Sequence, residues 1–179
     1  NNQIKQIENL VNKFSDFARM PKPILKKNDL VQIIKENVIL LSEIDPQIKI
    51  KLLGNVKSIL LKSDKEQLSR VFLNLIKNSI ESIQQKAENT VNFDKLISIE
   101  IKRLNNHINV VIIDSGIGFE NFKNDIKDIL HPYFTTKKNG TGLGLSIVNK
   151  IINDHNGTID FISIQNGAKI EINLNSNES

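Results

Sequence analysis

"LISIEIKRLNNHINVVIIDSGIGF", residues 96–119, alternates apolar and polar side chains on both sides of Asn105-Asn106, then runs into Asp114. Such alternation turns one face of each run towards a core, and an Asn pair tolerates the backbone of a tight turn, so the stretch predicts an antiparallel hairpin. Its second run delivers a carboxylate, Asp114, to a strand end, where Gly116 and Gly118 follow. Glycines there let the backbone turn sharply and lie against a flat ring. A carboxylate in that position can accept a hydrogen bond from an exocyclic amine such as that of adenine. Taken alone, the same residues also fit a strand-ending turn with a helix cap.

Working outward, "GTIDFISI" and "AKIEINLN", separated by "QNG" (165–167), read as a second hairpin. "IKIKLL" (48–53) alternates like a strand, with "SILL" (58–61) as its expected partner. Between these lie helices. Asn28 or Asp29 is placed to cap a helix carrying Leu30, Ile33, Ile34, Val38 and Leu41, closed near Asp45-Pro46. Ser63 or Asp64 caps the next, because both Ser63-x-x-Glu66 and Asp64-x-x-Gln67 have capping-box spacing. Hairpins mixed with helices predict an α+β fold, one sheet covered by helices on one face.

At 179 residues and 39% hydrophobic content the chain can bury one sizeable core. No run approaches the roughly 20 apolar residues of a membrane span. There is no cysteine, which excludes disulfides and thiol chemistry. The net charge of +4 is mild and the lysines are scattered among acids, with one Tyr and no Trp, so no nucleic-acid partner is expected. The chain opens without Met and in mid-helix pattern, as a piece of a longer protein would. Ile4, Ile7, Val11, Phe14 and Ala18 keep heptad spacing. Two readings stand for that seam: an amphipathic helix lying on its own domain, or one helix of a dimerising hairpin. "MPKP" (20–23) ends it, since each Pro removes a backbone donor and restricts its predecessor.

On the helix beginning near residue 64, Leu68, Val71, Phe72, Leu75, Ile76, Ser79 and Ile83 share a core sector at about 100° per residue. Asn74, Asn78 and Glu81 share a different stripe. Asn is a poor helix-interior residue because its side chain competes for backbone hydrogen bonds, so two stacked together call for a reason. An amide oxygen can ligate Mg²⁺ and leave its charge for phosphates. A solvated polar face is the competing explanation.

"KKNGTGLGLSIVNKIINDH" (137–155) sets Gly140, Gly142 and Gly144 before a helical stripe of Leu145, Ile147, Val148, Ile151 and Ile152. Free N–H groups and the helix dipole make an anion site there, and missing side chains let phosphate approach. A flexible loop before an ordinary core helix is the plainer reading. Lys137 and Lys138 add charge to such a site or are simply solvated. A P-loop is excluded because no lysine follows these glycines, and neither Gly pair continues as G-x-G-x-x-G.

In order and spacing, "NLIKNSIESI", "DSGIGF", "HPYFTTK" and "GTGLGLSIV" resemble the N, G1, F and G2 boxes of the ATP-binding domain of two-component sensor histidine kinases. The resemblance covers roughly residues 28–175. "FSDFARMPKP" (14–23) is similar to the end of the second dimerisation helix in nitrogen-regulation kinases of the NtrY/NtrB kind. The resemblance implies a two-layer α/β sandwich of the Bergerat (GHKL) type, preceded by one helix of a dimerisation hairpin: residues 1–20 hairpin, 21–27 linker, 28–179 ATP-binding catalytic domain. It casts Asn78 as Mg²⁺ ligand, Asn74 as its neighbour near the phosphates and Asp114 as the adenine-amine acceptor beside Gly116 and Gly118. Residues 120–139 become an ATP lid, with Phe134 packing it down and Thr136 and Lys137 towards the phosphates. Gly140, Thr141, Gly142, Leu143 and Gly144 would wrap the phosphate chain. Asn74, Asn78 and Lys137 form the implied catalytic set, with ATP and Mg²⁺ as cofactors.

ATP-hydrolysing members of that superfamily carry Glu where this chain has Asn74, and an amide cannot take a proton near neutral pH. The γ-phosphoryl would therefore be kept for an external histidine and relayed to a response-regulator aspartate. His107, His131 and His155 lie outside any phosphoacceptor pattern, so the fragment should not label itself. The implied partners are a response regulator of the NtrC/NtrX kind and a second copy through the hairpin. The implied setting is the bacterial cytoplasm, with any membrane anchor upstream. A protein-serine kinase or signalling ATPase of the same fold is the alternative enzyme, and a non-catalytic nucleotide-binding regulatory module the alternative outside enzymes.

Overall fold

The computed structural model describes residues 11, 15, 20–119, 126–135 and 141–176. Val11 and Ser15 are helical; the other positions of the heptad seam lie outside the described residues.

The element order is β1 (Lys26–Asp29), α1 (Leu30–Ser42), β2 (Lys49–Leu53), β3 (Leu60–Ser63), α2 (Lys65–Ala87), β4 (Leu96–Leu104), β5 (His107–Asp114), a 3-10 turn (Ile126–Leu130), α3 (Gly144–Asp154), β6 (Thr158–Ile164) and β7 (Gly167–Asn175). A five-stranded sheet runs β2-β4-β5-β7-β6, and β1 and β3 form a separate two-stranded sheet. Both expected hairpins form, turning at Asn105 (φ 38°) and Asn166 (φ 64°), left-handed positions that Asn tolerates better than most side chains.

The pairing expected for "SILL" is corrected. β2 pairs with β4, in parallel, while β3 pairs antiparallel with β1. Asp29 explains where the chain goes instead. Its carboxylate accepts from Val31 N at 3.0 Å as cap of α1, and from Ile59 N at 3.1 Å. The α1 cap thus also seizes the start of β3. The chain crosses back through α2, and the parallel β2–β4 pair is what such a helical crossover permits.

At the start of α2 the choice between Ser63 and Asp64 resolves to Asp64, whose carboxylate accepts from Gln67 N at 3.1 Å. The Ser63 hydroxyl is buried. The reciprocal half of the capping box does not form, because the Asp64 N–H donates to His155 Nε2 at 3.0 Å, while the Gln67 amide nitrogen donates to the Pro21 carbonyl at 3.0 Å.

The core lies between the sheet and the helices. Ile99, Ile112, Ile170 and Phe161 align across four strands, and Ile101, Val110, Ile172 and Ile159 form the next row. Against these rows α2 buries Leu68, Val71, Phe72, Leu75, Ile76, Ser79 and Ile83, the sector its periodicity marks out. Ile108, Val110, Ile112 and Asp114 share the inward face of β5 because side chains alternate along a strand. Asp114 therefore points into the layer of helices, not out to water.

Candidate functional site

Asp114 sits in the row beyond Ile112, flanked in register by Ile97 of β4 and Ala168 of β7, and is 5% exposed. Burial pushes its carboxyl above the ordinary Asp range. Hydrogen bonds from Gly116, Ser79 and Ala168 and the charge of Lys86 oppose that rise without cancelling it. Ser79 Oγ donates to Oδ2 at 2.9 Å and Gly116 N donates to Oδ1 at 2.9 Å. An ionised carboxylate offers about four acceptor sites, so room remains for a further donor beside these three.

The loop after Asp114 lies hard against α2. Ile117 N donates to Ser82 Oγ at 3.1 Å, and a Cβ on Gly116 would collide with that same side chain. Gly118 is left-handed (φ 63°), and a Cβ there would run into the Gly167 carbonyl. Lys86 Nζ donates to the carbonyls of Ser115 at 2.9 Å and Asn166 at 3.3 Å, with the Phe93 ring centroid 4.9 Å away. Ser79, Ser82 and Lys86 thus form a polar line along α2 that holds this loop.

Helical periodicity places Ser79 on the core face and marks neither Ser82 nor Lys86. The available signal was a Ser inside an otherwise apolar sector, where a hydroxyl has to find a partner.

The glycine stretch meets α2 one turn earlier. Asn74 Nδ2 donates to the Arg70 carbonyl at 2.7 Å, which leaves Asn74 Oδ1 facing Gly144; a Cβ there would stand 3.1 Å from that oxygen. Asn78 follows one turn on along α2, half-buried. α3 starts at Gly144 with Leu143 as N-cap and no side-chain cap, so its first N–H groups are not taken by a capping side chain. Leu143 is in the core at 1% exposure, anchoring the stretch, and Thr141 is half-buried.

Gly142 is left-handed (φ 65°), and a Cβ there would run into the Tyr133 backbone. Tyr133, itself left-handed (φ 68°), donates its N–H to the Gly142 carbonyl at 3.0 Å. This ties Tyr133 to Gly142. Phe134, next to the joint, is half-buried and packs against the core. Thr136, Lys137 and Gly140 lie outside the described residues.

Three features thus converge at α2: the buried carboxylate Asp114 with its glycine loop, the Asn74–Asn78 stripe, and the uncapped N-terminus of α3. Two clefts of about 350 and 470 Å³ lie elsewhere, between the 3-10 turn, α3 and β6, lined by residues such as Leu130, Pro132 and Asn149. None of the residues of the convergence lines them. The chemistry is placed by these donor and acceptor groups and not by the two clefts. What the convergence offers is an acceptor for a buried amine at one end and backbone donors with a helix dipole at the other.

Comparison with known proteins agrees with this arrangement. The sequence profile described as "Histidine kinase-, DNA gyrase B-, and HSP90-like ATPase" matches residues 63–178. The chain is 32% identical over 173 residues to the nitrogen regulation protein NtrY of Azorhizobium caulinodans, covering 96% of this chain and 22% of that protein. It is 34% identical over 167 residues to a putative NtrY-like sensor histidine kinase of Rickettsia felis, covering 93% of this chain and 26% of that one. It therefore spans about a quarter of the length of these relatives. Among solved structures it resembles the catalytic domain of the histidine kinase ThkA, with a TM-score of 0.71 and 27% identity over 85% of this chain and 95% of that one. With the profile covering most of its length and the site built from the same segments, the chain belongs to the histidine kinase-, DNA gyrase B- and HSP90-like ATPase family.

Proposed function

We propose that this chain is the ATP-binding catalytic domain of a sensor histidine kinase, passing the γ-phosphoryl of ATP to a histidine outside these residues, for relay to a response-regulator aspartate. The observation that carries the reading is the pairing of an adenine-type acceptor, Asp114, with a phosphate-type cradle at Gly142–Gly144, both mounted on α2 beside two asparagines. The NtrY-named relatives favour a response regulator of the NtrC/NtrX kind, and the seam at residues 4–18 favours pairing of two copies through a helical hairpin. Among the described residues no helix is long and apolar enough to cross a membrane.

The donor set fits a magnesium nucleotide. Asn78 offers a hard amide oxygen, and one such ligand suits an ion that takes the rest of its shell from phosphates and water. Mg²⁺ on Asn78 would supply positive charge at the triphosphate. The chain's own work is positioning and electrostatics. Asp114 would accept from the adenine amine with Gly116 and Gly118 beside the ring. Thr141 to Gly144 would present backbone N–H groups to the phosphates, joined by Gly140, Thr136 and Lys137. Phe134 would seat the segment that closes over them.

Water activation is disfavoured by the same geometry. Asn74 is tied to the Arg70 carbonyl through its amide nitrogen, and its oxygen at Gly144 is no base near neutral pH. None of the three histidines is placed as an acceptor: His107 starts β5 in a hairpin, His131 follows the 3-10 turn, and His155 is buried with both ring nitrogens engaged.

Incubation with radiolabelled Mg-ATP tests this. The chain alone should bind nucleotide without labelling itself, and a longer chain carrying the upstream helix should acquire acid-labile, base-stable phosphate. Acid-stable phosphate on serine, or steady ATP hydrolysis by the chain alone, would move the assignment to the alternative enzymes of this fold.

A further inference from the structure

Ser79 is 1% exposed and stands on the apolar face of α2 beside Leu75, Ile76, Ile80 and Ile83, all 2% exposed or less. A hydroxyl in such surroundings is unfavourable unless it is hydrogen-bonded. Its partner is Asp114 Oδ2 at 2.9 Å, on a different element and 35 residues away. An alanine would fill the helix position at least as well, since Ala is the best helix former. The hydroxyl thus serves Asp114 and not the helix.

We propose that Ser79 is a positioning residue for base recognition: its hydroxyl, fixed on Asp114 Oδ2, sets the carboxylate's orientation and keeps it an acceptor towards a purine amine. This rests on the reading that Asp114 faces the base. An amine on the base is a donor and needs an acceptor opposite. A protonated Asp114 would present a donor of its own, and burial already pushes its carboxyl in that direction. Donors that favour the ionised form are Gly116 N, Ala168 and Ser79. The first two are backbone groups, so Ser79 is the side chain that can tune the balance. Lys86 on α2 is the charge acting on Asp114; β4 presents Ile97 and β7 Ala168 beside it, neither of which titrates. Lys86 is spoken for by the Ser115 and Asn166 carbonyls, so it does not replace the hydroxyl.

The test compares ATP with inosine triphosphate, which carries a carbonyl where adenine carries the amine, on the wild-type chain and on Ser79→Ala. Calorimetric titrations from pH 5 to pH 8 give the affinities, and circular dichroism checks folding. For Ser79→Ala, ATP affinity should fall about tenfold, the loss expected when one hydrogen bond to a charged, buried recognising group is removed. Its acid limb should move to higher pH, while inosine triphosphate affinity stays within about twofold. Equal losses for both nucleotides would mean a merely structural role and overturn the proposal, as would unchanged ATP affinity with an unmoved acid limb. Asp114→Asn separates this from the parent reading: if that variant binds ATP like the wild type, the base assignment fails first and takes Ser79 with it. If Asp114→Asn weakens ATP while Ser79→Ala does nothing, only the Ser79 proposal falls.

Discussion

The backbone N–H of Asp64 donates to Nε2 of His155 at 3.0 Å, across 91 residues of sequence. Because Nε2 accepts, the ring proton sits on Nδ1, which donates to the Ile151 carbonyl at 2.8 Å. The tautomer is therefore set from both sides, in a ring only 8% exposed. On its other side Asp64 accepts from Ile24 N at 2.9 Å and Gln67 N at 3.1 Å. The start of α2, the end of α3 and the incoming chain thus meet at a single residue.

His155→Ala should cost about 2–3 kcal/mol of stability, since it leaves a cavity and orphans the Asp64 N–H and the Ile151 carbonyl. Urea denaturation measures it. A loss under about 0.5 kcal/mol would mean that this junction does not hold the helices together.

Gly142→Ala puts a side chain on a left-handed residue and into the Tyr133 backbone. The Tyr133–Gly142 hydrogen bond should break, separating these two residues. Strain of about 1–3 kcal/mol is expected, together with a drop in ATP affinity of about tenfold or more. Binding equal to the wild type would show that the joint is irrelevant to the phosphates.

Asp29 carries an acid-sensitive part of the stability. Burial raises its carboxyl, but hydrogen bonds from Ser58, Ile59 and Val31 outweigh burial and hold it below the usual Asp value. A depressed folded pKa contributes stability that is complete above the unfolded value of about 3.9 and lost as pH falls through the folded one. Asp29→Asn keeps a capping side chain and removes the titration. Thermal unfolding of this variant should thus fall less steeply below about pH 4 than that of the wild type. Parallel acid limbs would rule Asp29 out.

Much of this arrangement is legible along the chain. Alternation gives both hairpins, and periodicity gives the buried sector of α2 and the helix after the glycines. What stays hidden is whatever depends on a distant partner. "SILL" and "IKIKLL" alternate as strands do, but alternation does not say which strand pairs with which; the Asp29 clamp on Ile59 and the α2 crossover decide that. Ser79 falls in the apolar sector by angle, and its acceptor is supplied only when β5 turns Asp114 inward. His155 ends a helix before Asn-Gly, and nothing nearby announces a bond to residue 64.

Asp114 also carries a sign that separates function from stability. Its carboxyl is raised, chiefly by burial, so its ionised form weakens the fold near neutral pH, and protonation as pH falls through the raised value relieves this. Replacing it by the neutral amide removes that penalty while preserving shape. Asp114→Asn should therefore unfold at the same temperature as the wild type or higher at pH 7. A lowered melting temperature would mean that its hydrogen bonds outweigh its desolvation.

The most direct test of the site is calorimetric titration of Mg-ATP into the wild-type chain and the folded Asp114→Asn variant at pH 7. The wild type should bind, and the variant should bind about a hundredfold more weakly, a difference near 2.7 kcal/mol. Equal affinities would contradict the assignment of this buried carboxylate to the adenine amine.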